Sequence, residues 1–137
     1  MDAPITLSPI GYVESEFDSH ASSEDMAKRP SRIIVQPELE PGLMGLEPGQ
    51  EILVLFYFHS VEGYELRLHP RHDPKRPLRG VFATRTQYRP NAIGATVVHI
   101  ESISRNVIRV TGLDARDGTP VLDIKPYRAE FDSAPSK

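Results

Sequence analysis

The sequence predicts an all-β fold with little helix, and three observations carry that prediction. Apolar residues recur mostly with period two, the repeat of a strand with one buried face. Turn signals such as Asp117-Gly118 punctuate the apolar runs at short intervals. The 13 prolines among 137 residues are spread along the chain, which excludes long helix interiors. Seven or eight short strands of this kind make a sandwich or a barrel.

The elements follow in order. Ile5–Val13 reads as a first strand, bent at Pro9 and Gly11. Asp18–Pro30 is polar and reads as a mobile loop, and Arg32–Gln36 as a second strand. Pro37–Gly49 holds three prolines and three glycines, so it is turn-like, with one helical turn near Leu43-Met44. Glu51–His59 is nearly all apolar, β-branched or aromatic, the pattern of a strand buried on both faces. Tyr64–Leu68 alternates and reads as half-buried; His69–Arg79 is a basic, Pro-rich loop, and Gly80–Ala83 a short strand. Gly94–Ile103 and Val107–Leu113 form a hairpin across Ser104-Arg105-Asn106, and Val121–Ile124 is the last strand. The tail 128–137 is expected to fray. The whole chain, 1–137, reads as one domain.

Composition narrows the function. The chain has no Cys, which excludes disulfides, thiolate metal sites and thiol nucleophiles. No apolar run approaches the ~20 residues that span a bilayer. The start, Met1-Asp2-Ala3-Pro4, does not read as a signal peptide, so a cytoplasmic location is expected. The net charge of −3 hides an asymmetry. Residues 1–66 hold three basic and twelve acidic side chains, whereas residues 67–89 hold seven basic and one acidic. Such a block is either a solvated loop or a surface for phosphate or nucleic acid.

Two stretches stand out chemically. In Gly80–Gly94 a short apolar run leads to Arg85 and Arg89, then Pro90-Asn91. Arg presents a planar donor fork for carboxylate or phosphate, or it pairs with a neighbouring Asp and locks the fold. Asn91 offers an amide edge for a base, or closes a turn. In Gly112–Tyr127, Asp114, Asp117 and Asp123 cluster around a tight turn. Asp117 is most simply a turn residue; Asp114 and Asp123 suit buried partners of Arg or Lys125, or of a bound cation. His59 ends the apolar strand, a common place for a pocket residue. His69-x-x-His72-Asp73 lies in a cation-rich loop that opposes a dication, so no metal is expected.

Gly80–Gly94 followed by Leu113–Tyr127 resembles the two long motifs of the TsaA-like (TrmO) family of S-adenosylmethionine-dependent tRNA methyltransferases. Ile10-Gly11 and the Phe56-x-Phe58-His59 strand end resemble it too, and the likeness covers most of residues 5–132. The resemblance implies a compact single β-barrel of about seven strands. It implies a homodimer with S-adenosylmethionine near the interface, and tRNA as partner. The implied reaction is methylation of the exocyclic nitrogen of threonylcarbamoyladenosine beside the anticodon.

Position by position, the resemblance implies cofactor contacts at Lys28, Arg29 and Pro30, within a loop beginning at Met26. Others are His59, Ser60, Arg85 and Ala95, together with Thr111, Gly112, Leu113 and Asp114. The acceptor nitrogen is a poor nucleophile until its proton is lost, and His59 or Asp114 is the candidate base. Arg71, Arg79, Arg89, Asn91 and Lys125 are candidate substrate contacts, the basic stretch meeting phosphates of the anticodon arm. There are departures. Pro48-Gly49-Gln50-Glu51 replaces a Phe-Ser-His run, Ala92 replaces a usual Pro, and a further C-terminal domain of longer members is not expected here. A methyltransferase of this fold acting on another RNA base or a small molecule, and a non-catalytic RNA-binding barrel, are the alternatives.

Overall fold

A computed structural model describes residues 2–16 and 22–135. Its strands are β1 (Gly11–Glu14), β2 (Ser31–Val35), β3 (Glu51–Tyr57), β4 (Arg67–Leu68), β5 (Arg79–Gly80), β6 (Ile93–Ser104), β7 (Val107–Thr111) and β8 (Pro120–Pro126). Six of them close into an antiparallel barrel in the order β1-β2-β7-β6-β3-β8. Closure is made where Gly11 pairs with Val121 and Tyr12 with Pro120. β4 and β5 form a separate hairpin, inserted between β3 and β6. The expected all-β barrel is therefore present, with six strands in the wall and two in the hairpin.

The period-two pattern explains the wall. In β3, Ile52, Val54 and Phe56 point inward and are at most 1% exposed. Across from them on β6 lie Val98, Thr96 and Gly94 in register. Ile33, Ile108, Val110, Leu113 and Val121 complete a core that is fully closed to solvent. Burial of each such side chain contributes about 1.5–3 kcal/mol. Gly94 is required by packing. A Cβ there would stand 2.5 Å from the Phe56 ring and 2.9 Å from Phe58. The two rings meet edge to face, with centroids 5.2 Å apart.

Several expectations need correction. β3 is buried on one face only. Leu53 and Leu55 are half-buried and Tyr57 is exposed, because no helical layer covers the outside of the barrel there. The first strand is shorter than Ile5–Val13; Pro9 has no N–H for the ladder, and pairing starts at Gly11. The segment read as a mobile loop holds a helix, α1 (Ser23–Ala27), and its residues 18–21 lie outside the described residues. Ser22 caps α1 by accepting from the Asp25 N–H, and buried Met26 docks it. Gly80–Ala83 is not a strand beyond Gly80. Val81–Ala83 makes one 3₁₀ turn whose Val81 is buried. Pro37–Leu43 is likewise a 3₁₀ helix. Within the C-terminal tail, Ala129–Asp132 forms one helical turn, α2. Among the described residues no helix is long and apolar enough to cross a membrane.

Candidate active site

His59, Arg85 and Asp114 gather around the exits of β3 and β7 and the loop leading into β6. The Phe58 N–H donates to the Ala92 carbonyl at 2.9 Å, so the chain after β3 leaves the ladder still tied to the start of β6. Gly112 takes φ +96°, a left-handed turn that redirects the chain after β7. Its N–H donates to the Ala27 carbonyl at 3.2 Å, which brings the end of α1 to this rim.

Between these segments lies a cleft of about 270 Å³, lined by Met26, Phe58, His59, Ser60, Arg85, Thr86 and Asp114, among others. A second cleft of about 530 Å³ shares Phe56, Phe58, Arg85 and Asp114, and adds Arg89, Gly94, Ala95 and Thr96. Their common carboxylate is oriented. Thr96 Oγ1 donates to Asp114 Oδ1 at 2.7 Å, and both residues are half-buried. Asp114 Oδ2 has no protein partner among the described residues.

The two motif arginines are held by the backbone and not by aspartates. Arg85 Nη2 donates to the Ala95 carbonyl at 2.6 Å. Arg89 Nη1 donates to the carbonyls of Thr84 at 3.0 Å and Thr86 at 3.2 Å, folding the Thr84–Arg89 loop onto itself. Arg85 and Thr86 also border a third chamber of about 790 Å³, lined by Arg71, His72, Arg76 and Arg79, with Glu24 as its one acidic wall residue among the described residues.

His59, Ser60, Arg85, Ala95 and Asp114 thus converge on the paired clefts, and Arg71 and Arg79 on the chamber beside them. Other candidates lie elsewhere. Lys28 and Arg29 are exposed and pair with Asp25 at 4.0 Å and Glu16 at 3.1 Å. With Pro30 they follow α1, near the cleft through Ala27. Thr111 and Gly112 offer backbone at the rim, and the Leu113 side chain belongs to the core. Asn91 borders a separate groove with Tyr57, Tyr64 and Ile93. Lys125 sits on the barrel wall, 3.0 Å from Asp123. Asp117 accepts from the Ser15 N–H at 3.0 Å, a long-range tie across the β1 end.

Phe58, Thr86 and Thr96 were not anticipated as site residues. Thr96 was within reach of the pattern, since it lies two residues after Gly94 and therefore on the same inner face. Its pairing with Asp114, 18 positions away, is set by the β6–β7 hairpin.

A family model for the tRNA-methyltransferase O N-terminal domain matches residues 12–133. A probable S-adenosyl-L-methionine-binding protein of Methanothermobacter thermautotrophicus is 39% identical over 135 residues, 96% of each chain. A tRNA (adenine(37)-N6)-methyltransferase of Mus musculus is 39% identical over 138 residues, 91% of this chain and 31% of the relative. Crystalline TrmO from Pseudomonas aeruginosa superposes with a TM-score of 0.75 at 33% identity, covering 96% of this chain and 60% of that one. This chain thus spans under two thirds of the mouse and Pseudomonas proteins. A barrel of this topology, the family model matched along nearly its whole length and relatives this close place the chain in the tRNA-methyltransferase O family.

Proposed function

We propose that the protein transfers a methyl group from S-adenosylmethionine to the exocyclic nitrogen of an adenine in tRNA. The acceptor in this reading is threonylcarbamoyladenosine beside the anticodon. The observation that carries it is the Thr96-oriented Asp114 carboxylate, lining clefts that share Arg85 with an arginine-lined chamber, in a chain of this family. The residue types fit the methyl donor. A carboxylate complements an ammonium or sulfonium, Arg85 keeps N–H groups beyond its bond to Ala95, and Phe58 offers apolar surface. When bound, the donor supplies an electrophilic methyl group on sulfur.

The chain's own residues have distinct parts in this reading. Asp114 presents negative charge to the cleft and is already oriented, so little reorganisation is needed. Asp114 Oδ2 or the His59 ring takes the proton that the acceptor nitrogen loses. The rim segments Lys28–Pro30 and Thr111–Leu113 hold the donor through backbone groups. Arg67 and Lys75, outside the chamber, meet RNA phosphates. Exposed Tyr57 and Ile93 face each other across β3 and β6, with Val97 four residues further along the same face of β6, and form the apolar face of a homodimer near the clefts. We place the reaction in the cytoplasm.

Calorimetry with S-adenosylmethionine is expected to give saturable binding; no binding sinks every enzymatic reading. Mass spectrometry of tRNA nucleosides from a deletion strain is expected to show loss of methylated threonylcarbamoyladenosine. Unchanged nucleosides would move the activity to another acceptor. Sedimentation at micromolar concentration is expected to show a dimer.

A further inference from the structure

The chamber beside the clefts is unusual for its charge. Among the described residues, four arginines, Arg71, Arg76, Arg79 and Arg85, face a wall with one carboxylate, Glu24. Arg76 is drawn off toward Asp73 at 3.8 Å, and Arg85 is partly used by the Ala95 carbonyl. Arg71 and Arg79 have no ion partner among the described residues. The hairpin of β4 and β5 displays Arg79 opposite Leu68. The loop between them is braced, with His69 Nδ1 2.7 Å from the Arg76 carbonyl and the His72 ring edge-on to Tyr88 at 5.7 Å. Arg71 and His72 both hold left-handed backbone, φ 58° and 56°, a conformation that non-glycine residues adopt only when their surroundings impose it. The backbone of this loop is therefore held in place, and the exposed side chains of Arg71 and Arg79 border an open cavity large enough for a nucleoside.

We propose that this chamber receives the acceptor base and that Arg79 and Arg71 read a carboxylate carried by that base's substituent. The inference rests on the acceptor reading above. Threonylcarbamoyladenosine ends in a free carboxylate, and the planar Arg fork binds such a group through two parallel N–H donors. Arg85, shared by the chamber and both clefts, marks the junction at which the acceptor nitrogen meets the donor side. Six of the seven cations thus divide by function: those lining the chamber select the modified base, and Arg67 and Lys75 outside it serve the phosphates, while Arg89 braces its own loop through the Thr84 and Thr86 carbonyls.

The test compares two synthetic anticodon stem-loops, one carrying threonylcarbamoyladenosine as the free acid and one as its neutral N-methylamide. Methyl transfer from radiolabelled S-adenosylmethionine is measured with wild type, Arg79→Gln and Arg71→Gln. The wild type is expected to prefer the acid by about ten- to a hundredfold in kcat/KM, the range for hydrogen bonds to charged groups. Each variant is expected to lower the rate on the acid by a larger factor than the rate on the amide, narrowing the preference between them. Equal wild-type rates on the two substrates would overturn the proposal while leaving the methyltransferase reading intact. Variants that slow both substrates alike and flatten the salt dependence would also overturn it, assigning the chamber to phosphate. No transfer to either stem-loop by wild type that binds S-adenosylmethionine would overturn the acceptor reading, and the proposal with it.

Discussion

The barrel wall and the arginine-bearing rim are built on different terms. On the inner wall, side chains choose one another by volume. Phe56 fits because Gly94 has no Cβ, and Ile52, Val54 and Val98 are closed to solvent. At the rim, side chains are fixed by backbone carbonyls: Ala95 for Arg85, and Thr84 and Thr86 for Arg89. A wall residue therefore contributes chiefly to stability, and a rim residue chiefly to binding and chemistry. Asp114 and Thr96 stand at the boundary, half-buried and polar, where the core's end becomes the site's floor.

The sharpest test of that contrast is Phe56→Ala. It is expected to cost about 3–5 kcal/mol of stability, read as a lowered urea midpoint. A loss under 1 kcal/mol would show that the wall is not close-packed at this point. Next is Asp114→Asn, which keeps the shape and removes the charge. Methyl transfer is expected to fall about a hundredfold or more with the melting temperature little changed. A large drop in melting temperature would move Asp114 into the structural class. Gly94→Ala places a methyl group against two rings and is expected to cost about 1–3 kcal/mol. The smallest effect belongs to Thr96→Val, which removes one hydrogen bond to the carboxylate. A weakening of donor affinity by about tenfold is expected, with Thr96→Ser restoring it. Equal affinity in the Val and Ser variants would deny Thr96 a positioning role.

The wall was more legible than the rim. Alternation in Gly94–Ile103 and Val107–Leu113 marked the hairpin to within two residues at each end, because apolar periodicity is a local signal. The same reasoning took Glu51–His59 as buried on both faces, since composition does not say whether a second layer covers a strand. It missed α1, whose signal was a Ser22-x-x-Asp25 cap ahead of a single buried Met26. It extended a strand through Val81–Ala83, where the chain turns under Thr84 Oγ1, which donates to the Val81 carbonyl at 2.8 Å. Arg85 and Asp114 belong to two motifs that lie on opposite sides of the longest hairpin. The resemblance named each as a cofactor contact, and only the fold shows that both line the same clefts and which groups they bond.

The sequence by itself determined the all-β class, the β6–β7 hairpin, the charge block at 67–89 and the two motif stretches. All are local properties of neighbouring residues. Only the tertiary structure decided which strands close the ring, that Thr96 meets Asp114, that Arg85 and Arg89 bond to carbonyls, and that four arginines line one chamber. Ring order depends on closure of β1 onto β8, the Thr96–Asp114 contact on the β6–β7 hairpin, and the arginine bonds on the folding of the loop that leads into β6. A side chain's partner is then fixed by register and by which polar groups the ladder leaves unpaired, and neither can be read from residue type.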